Sequence, residues 1–145
     1  MVNIRRERPA DAAARERLLD AAFGTERFAK TSERLRECRF PAPDLSFVAS
    51  EHGRLVGTVR LWPVTLGAGR AGLLLGPLAV AADARNRGIG SALMRHALAA
   101  AQRLGHACVL LVGDPPYYGR FGFSAAKTGA LRLPGPCEAH RLLAR

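Results

Sequence analysis

Residues 73–90 read LLLGPLAVAADARNRGIG and join an apolar strand to a helix through a glycine-rich turn. Backbone N–H groups in the first turn of a helix have no intrahelical partner and lie at the positive end of the helix dipole. Gly88 and Gly90 leave these N–H groups accessible, because a side chain at either position would keep an anion away. Arg85 and Arg87 add donors that suit phosphate oxygens. The segment therefore predicts a phosphate-binding loop at a helix N-terminus.

The loop differs from two other phosphate-binding patterns. The Walker pattern needs Gly-Lys-Ser/Thr, and both lysines of the chain, Lys30 and Lys127, are remote from the loop. The dinucleotide fingerprint needs a third glycine at the position of Leu93. The run RNRGIG also suits a tight turn without a ligand, so both interpretations stay open from these residues alone.

The residues around the loop predict a strand–helix–strand unit. Residues 73–80 and 108–112 are apolar runs, and the second is uninterrupted, which is typical of a parallel strand covered on both faces. Between them, residues 89–104 predict a helix that stops at Gly105, with an apolar face made of Leu93, Ala97, Ala101 and Leu104. A crossover between two parallel strands is right-handed.

Two interruptions in these strands predict where a ligand binds. Proline has no N–H to donate to a sheet, so Gly76-Pro77 predicts a bulge in the first strand. Residues 113–116, Gly-Asp-Pro-Pro, end the second strand abruptly. We expect the two strands to separate at their C-terminal ends, where ligands bind in open α/β sheets.

The N-terminal half predicts antiparallel strands and helices. We expect strands over residues 2–6, 45–50 and 54–64, the last two joined by a turn at His52-Gly53. A helix over residues 9–23 would end at Gly24 and bury Ala14, Leu18, Ala21 and Ala22. A second, shorter helix is predicted over residues 31–38.

The composition indicates one globular domain. A chain of 145 residues that is 48% hydrophobic can form a single core, so we expect one domain over residues 1–145. No apolar run approaches the roughly 20 residues that span a bilayer. No apolar core follows the charged residues at the N-terminus, so no signal peptide is expected. We therefore expect no membrane partner and a cytoplasmic location. Cys38, Cys108 and Cys137 lack metal-ligand spacing, so no metal is expected.

The net charge of +10 raises the question of a nucleic-acid partner. Arginines supply nearly all of the positive charge and are spread from Arg5 to Arg145. Few aromatic residues lie among them to stack on bases, so nucleic acid is not the expected partner. The charge is also compatible with a polyanionic cofactor, and it argues against a polycationic substrate.

The order of these motifs resembles the GNAT superfamily of N-acetyltransferases. The resemblance rests on Arg85-x-x-Gly88-x-Gly90 after an apolar strand and on YYGRFGF at residues 117–123. It is strongest over residues 73–123, which are similar to the small bacterial YhbS-like branch. It implies an α/β fold with a mixed sheet of six to seven strands, flanked by helices and split between the fourth and fifth strands.

The resemblance also implies acetyl-CoA as co-substrate. The pyrophosphate loop of the family corresponds to Arg85, Asn86, Arg87, Gly88, Ile89 and Gly90, with Ser91 opening the helix. Its pantetheine contacts, made by the backbone of the fourth strand, correspond to Leu78, Ala79 and Val80. A strand with unpaired backbone groups can bind the amides of pantetheine as it would bind another strand.

The implied reaction is direct attack of a primary amine on the thioester through a tetrahedral intermediate. A backbone N–H at the bulge would stabilise the negative charge on oxygen. The family's general acid corresponds to Tyr118. A phenol with a pKa near ~10 keeps its proton at neutral pH and can donate it. The alternative role of Tyr118 is to pack beneath the cofactor. Asp114 ranks first as general base, ahead of Glu51 and His52, although it can equally cap the following turn.

The sequence leaves the acceptor, the final strand and two alternative functions open. The acceptor, a small-molecule or peptide amine, should be selected by residues 23–40, Trp62 and the C-terminal segment. The superfamily's final strand is shortened or missing, because Pro-Gly-Pro at residues 134–136 interrupts the chain, and a homodimer could cover that edge. A non-catalytic acyl-CoA-binding module and a basic nucleic-acid-binding protein are the alternative functions.

Overall fold

The structure is a computed structural model and describes residues 2–24, 36, 40–66, 69–125 and 142–145. The strands are β1 Asn3–Arg6, β2 Ser46–Glu51, β3 Arg54–Thr65, β4 Ala71–Val80, β5 Val109–Val112 and β6 Leu142–Ala144. The helices are α1 Ala12–Phe23, α2 Ile89–Arg103 and the short α3 Pro115–Tyr118, and single 3-10 turns span Pro9–Asp11, Ala82–Ala84 and Gly119–Phe121. Within these residues the strands form one mixed sheet in the order β1 to β6.

The sheet topology agrees with the predicted fold class. Neighbouring strands are antiparallel except β4 and β5, which are parallel and joined by α2. The predicted strand–helix–strand unit is therefore confirmed. The β2–β3 hairpin turns at His52 and Gly53, whose φ angles of 51° and 74° suit a tight two-residue turn.

The largest part of the core lies between α2 and the sheet. Leu93 and Ala97 are fully buried there, as predicted. Gly57 of β3 faces this helix, and a side-chain carbon on Gly57 would lie 2.8 Å from Leu93 Cδ1. The missing side chain thus lets α2 pack directly on β3. Leu104 was placed on the same face by its spacing, but it is 52% exposed because it follows the last helical residue.

A smaller core lies under α1 on the opposite face of the sheet. Leu18 and Leu19 are buried and pack with Ala79 of β4. The predicted apolar face of α1 is partly wrong, because Ala21 is exposed and Leu19 is buried instead. The larger leucine side chain removes more apolar area from water than an alanine does, so it determines which way the helix faces. The helix ends at Gly24, as predicted.

The separation of β4 from β5 is confirmed. Only Leu73 and Leu74 of β4 pair with β5. Beyond them β4 has a bulge. Gly76 and Pro77 lie between Leu75 and Leu78, whose partners in β3 are separated by a single residue. The remainder of β4 therefore continues beside β3 alone.

The C-terminal strand is present and short. β6 has three residues and pairs with β5 in antiparallel orientation. Ser124 forms an isolated bridge with Ala144, and Leu143 is fully buried. Residues 126–141 lie outside the described part of the chain, and so does the helix predicted over residues 31–38, apart from Arg36.

Candidate functional site

The loop that joins β4 to α2, residues 85–91, has the backbone geometry of an anion site; we call it the anion loop. Asn86 and Gly88 have φ angles of 63° and 80°, in the left-handed region. The first intrahelical hydrogen bond runs from the Ala92 N–H to the Gly88 carbonyl, at 3.0 Å. The N–H groups that precede Ala92 in α2 thus have no partner within the helix, and they lie at the positive end of its dipole.

The end of β4 supplies a second set of backbone groups. Residues 78–80 pair with β3 on one side, whereas β5 pairs with β4 no further than Leu74. The Ala81 N–H donates to the Val56 carbonyl of β3 at 2.8 Å. Because backbone groups alternate in direction along a strand, those of Val80 point to the opposite, open edge. That edge can accept an amide-bearing ligand in the manner of an added strand.

A cavity of about 610 Å³ connects the anion loop with this open edge. Of the predicted cofactor residues, it is lined by Leu78, Ala79, Val80, Arg85, Asn86, Gly88, Ile89, Gly90 and Ser91. Further lining residues are Ala22, Phe23, Ala84, Tyr117, Tyr118 and Arg120. The volume lies in the usual range for small-molecule sites. Arg87 and Asp114, which the sequence also predicts as site residues, do not belong to this lining.

Tyr118 forms part of the cavity wall after β5. Its ring lies over Gly113, where a side-chain carbon would be only 2.3 Å from the Tyr118 Cε2 atom. The ring also packs edge-on against Tyr117, with 4.9 Å between centroids, and against Phe123, with 6.3 Å. Gly113 therefore provides the space in which the Tyr118 ring lies.

Arg120 is a lining residue that the sequence analysis missed. Its Nη2 donates to Ser91 Oγ at 3.2 Å, and its Nε donates to the Tyr117 carbonyl at 3.3 Å. Its guanidinium lies 4.6 Å from the Tyr117 ring centroid. A permanent positive charge is thereby held beside the anion loop. The signal was available, because Arg120 belongs to the YYGRFGF segment in which only the tyrosines were given roles.

Arg85 and Arg87 were both predicted to bind phosphate, but their side chains have different hydrogen-bond partners and only one of them lines the cavity. Arg85 lines the cavity, and its Nε donates to the Val80 carbonyl at 3.2 Å. Arg87 donates both terminal nitrogens to the Glu51 carboxylate, at 3.0 and 2.5 Å. These hydrogen bonds lower the pKa of Glu51 to about 2 and raise the pKa of Arg87. The Arg87 side chain therefore belongs to an ion pair and not to the cavity lining.

The three predicted base candidates lie away from the cavity lining. Glu51 is bound to Arg87, and a carboxylate with a pKa of about 2 is a poor proton acceptor. His52 is exposed at the hairpin tip. Asp114 is exposed, precedes α3 without a side-chain capping bond, and accepts the Tyr118 N–H with its main-chain carbonyl at 3.0 Å. Asp114 as general base stays a prediction, and the alternative of a side-chain cap is wrong.

Of the regions expected to select the acceptor, residues 23–40 are described only at positions 23, 24, 36 and 40, whereas Trp62 is described in full. Phe23, at the end of α1, lines the cavity. Trp62 is buried, and its indole N–H donates to the Gly76 carbonyl in the bulge at 2.7 Å. The Arg36 guanidinium lies against the same glycine, since a side-chain carbon there would be 2.8 Å from Arg36 Nη2. Trp62 and Arg36 thus contact the bulge at the base of the open edge.

Two features are absent from residues 2–24, 36, 40–66, 69–125 and 142–145, which the structure describes. None of the helices in these ranges is long and apolar enough to cross a membrane. The same ranges contain no group of three or more His, Cys, Asp or Glu side chains that could hold a metal ion.

Comparison with known sequences identifies a family and a relative. The profile of the Acetyltransferase (GNAT) family matches residues 12–123. The chain is 34% identical over 146 residues to the uncharacterised N-acetyltransferase YhbS of Escherichia coli strain K12. This match covers 96% of the present chain and 86% of the relative.

Solved structures show the same similarity. A crystal structure of the GNAT family N-acetyltransferase YhbS from Escherichia coli in complex with CoA matches with a TM-score of 0.84 and 32% identity, over 99% of this chain and 80% of that one. A GNAT family acetyltransferase from Brucella melitensis in complex with acetyl-CoA matches with a TM-score of 0.72 and 32% identity, over 100% and 96% of the two chains. The mixed sheet with flanking helices is therefore the fold of these acetyltransferases.

Proposed function

Because this chain belongs to the GNAT family of acetyltransferases, we propose that it transfers the acetyl group of acetyl-CoA to a primary amine. Membership makes the chain an acyltransferase. The observation that supports this particular reaction is a single cavity to which the anion loop, the open edge of β4 and Tyr118 all contribute. Main-chain N–H groups suit a diphosphate, a strand edge suits amides, and a phenol suits a departing thiolate.

We assign acetyl-CoA to this cavity as the co-substrate. CoA and acetyl-CoA are the ligands of the Escherichia coli and Brucella melitensis structures. In the present chain, the N–H groups of residues 88–91 would hold the diphosphate, and Arg85 and Arg120 would add positive charge beside it. Residues 78–80 would bind the pantetheine amides along the open edge of β4. When bound, acetyl-CoA supplies an activated thioester.

Two groups of this chain carry the proposed chemistry. An N–H on the open edge of β4 stabilises the negative charge that develops on the carbonyl oxygen. An ordinary phenol carries its proton at neutral pH, so Tyr118 is the group that would donate a proton to the thiolate that leaves. The cavity lining within the described residues contains no Asp, Glu or His. We therefore propose that a water molecule accepts the proton of the amine, in preference to Asp114.

The acceptor and the setting of the enzyme are part of the same proposal. We take the acceptor to be a small-molecule or peptide amine that enters near Phe23, because this side chain lines the cavity. The chain is proposed to act as one N-acetyltransferase domain over residues 1–145, without a metal, in the cytoplasm. A homodimer that covers the edge beside β6 is the proposed assembly.

Two measurements on the purified protein test the function. Titration with CoA should raise the melting temperature with concentration, as binding to the native state requires, whereas an oligonucleotide should not. Acetyl-CoA together with a panel of primary amines should then release free CoA thiol, with at least one amine well above the rate without amine. A protein that binds CoA but releases no thiol with any amine would contradict the proposed transfer.

A further inference from the structure

Two ion pairs of opposite polarity connect the β2–β3 hairpin with the segment between β4 and α2. In the first, Glu51 of the hairpin accepts hydrogen bonds from Arg87 of the anion loop, at 3.0 and 2.5 Å. In the second, Arg54 of the hairpin donates to the Asp83 carboxylate, at 3.1 and 2.9 Å. The hairpin thus contributes one acidic and one basic side chain, and the β4–α2 segment contributes the oppositely charged partner of each.

The two pairs bracket the hairpin turn and continue a main-chain connection. Glu51 and Arg54 are register partners on either side of the turn. Two residues after Arg54 along β3, the Val56 carbonyl accepts the Ala81 N–H at 2.8 Å, where β4 ends. The hairpin tip is therefore fastened to the β4–α2 segment at its beginning through Ala81, at Asp83, and at Arg87.

At Asn86 the anion loop has a backbone conformation that costs energy for a residue with a side chain. Asn86 has a φ of 63°, which is uncommon for a residue with a side chain, and Gly88 has a φ of 80°. Arg87 lies between these two residues, so its bidentate bond to Glu51 is made between the two left-handed positions of the loop. A planar guanidinium paired with a carboxylate also determines orientation, which a single hydrogen bond does not.

We propose that Glu51 and Arg54 are positioning residues for acetyl-CoA binding: through Arg87 and Asp83 they hold the anion loop in the conformation that presents its N–H groups to the diphosphate. The proposal rests on the proposed function of this cavity. In it Arg87 is a part of the brace and not a phosphate ligand, and the hairpin contributes to co-substrate affinity without touching the co-substrate.

A competing role for Arg87 predicts the opposite change in CoA affinity for the Glu51→Gln variant. If Arg87 were a phosphate ligand that Glu51 holds away from the cavity, Glu51→Gln would release it and CoA would bind more tightly. If Glu51 braces the loop, Glu51→Gln loosens the loop and CoA binds more weakly. Each exposed ion pair contributes modestly, so we expect Glu51→Gln to raise the Kd for CoA about two- to fivefold.

Calorimetric titration with CoA tests the first pair. We expect Arg87→Gln to raise Kd by the same factor as Glu51→Gln, and the double variant to be no weaker than either single variant. At 1 M salt the exposed pair is screened, so the difference in Kd between wild type and variants should largely disappear. Tighter binding by Glu51→Gln, or a much larger loss for Arg87→Gln than for Glu51→Gln, would overturn the proposal.

The second pair allows a test by charge exchange. Arg54→Asp should raise the Kd for CoA about two- to fivefold. The double variant with Arg54→Asp and Asp83→Arg has the wild-type net charge and restores the pair, so its Kd should return towards the wild-type value. In turnover, Arg54→Asp should raise the KM for acetyl-CoA while kcat stays the same, a split that general destabilisation would not produce. Failure of the exchange to restore affinity would contradict the brace.

An ion pair elsewhere on the sheet provides the control. Arg6 donates to the Asp44 carboxylate at 2.5 Å, and both side chains are exposed. Asp44→Asn should leave the Kd for CoA unchanged, and a similar increase there would overturn the proposal. Melting temperatures of all variants verify that they are folded. A wild-type protein that does not bind CoA would refute the proposed function, whereas wild-type binding with unaffected variants refutes only the brace.

Discussion

The two ends of β4 differ in their partners, although they belong to one continuous strand. At Leu74 the strand pairs with β3 on one side and β5 on the other, and the side chain is 1% exposed. At residues 78–80 it pairs with β3 alone, and all three residues line the cavity. The bulge at Gly76 and Pro77 lies between these two ends. One end therefore lies inside the sheet, while the other has an edge that faces the cavity and pairs with no other described strand.

The largest expected effect concerns the wall that faces the open end of β4. Tyr118→Phe removes the phenolic proton and retains the ring that packs over Gly113. We expect kcat to fall about 100-fold or more, which is typical for loss of a general acid, with the Kd for CoA nearly unchanged. Steady-state thiol release measures kcat and calorimetry measures Kd. The matched control is Tyr117→Phe, for which kcat should stay within a few-fold of wild type; full activity of Tyr118→Phe would show that Tyr118 only packs.

The next effect concerns the closed end of the strand. Leu74→Ala leaves a cavity in a buried cluster with Trp62, Val64 and Leu110, and we expect the free energy of unfolding to fall by about 2–5 kcal/mol. Leu78→Ala at the open end should cost distinctly less, because Leu78 is only partly buried. Denaturant titration of both variants measures the difference. Equal losses would contradict the division of β4 into an end that stabilises the core and an end that lines the cavity.

A smaller effect is expected where the anion loop faces the open end of β4. Gly88→Glu adds a negative charge and strains a left-handed φ of 80°, so the Kd for CoA should rise roughly tenfold or more. Gly105 is the control, because its φ is 85° and a side chain there meets open space after α2. Gly105→Glu should carry the same backbone strain and leave the Kd unchanged. Calorimetric titration compares the two, and equal Kd values for both variants would exclude the loop as the anion site.

The smallest expected effect lies remote from both ends of β4. The Asp11 carboxylate accepts hydrogen bonds from Arg5 at 2.7 and 3.0 Å and from the Arg8 N–H at 2.7 Å, and the bond to Arg5 chiefly lowers its pKa to about 2. A lowered pKa stabilises the fold above the unfolded value near 4, and the contribution is lost as the pH falls through 2. Because solvent screens part of this interaction, Asp11→Asn should cost about 1 kcal/mol at pH 7 and almost nothing at pH 2. Urea titrations at both pH values test this, and a loss that is independent of pH would contradict it.

Local sequence patterns predicted much of the site but not the directions of its side chains. Gly88, the bulge at Gly76-Pro77 and the end of β5 were predictable, because each depends on the conformational limits of glycine and proline. The position of Arg87 was not, since its partner Glu51 lies 36 residues away along the chain. The contact of Arg120 with Ser91, 29 residues apart, was missed for the same reason. Periodicity located α1 and α2, yet it misplaced Ala21 and Leu104, because helical spacing does not tell which way a helix end faces the sheet.

By itself, the sequence determined the strand–helix–strand unit of β4, α2 and β5 and the main-chain frame of the anion loop, and its motifs carried the resemblance to the family. The unit and the loop follow from short-range constraints: apolar periodicity, the conformational freedom of glycine and the missing N–H of proline. Only the tertiary structure decided which arginine lines the cavity and which one is bound to the hairpin, and that Asp114 lies outside the cavity lining. The physical reason is that a long charged side chain pairs with a partner that the fold brings near. Such a partner is distant in the chain, so local sequence patterns do not identify it.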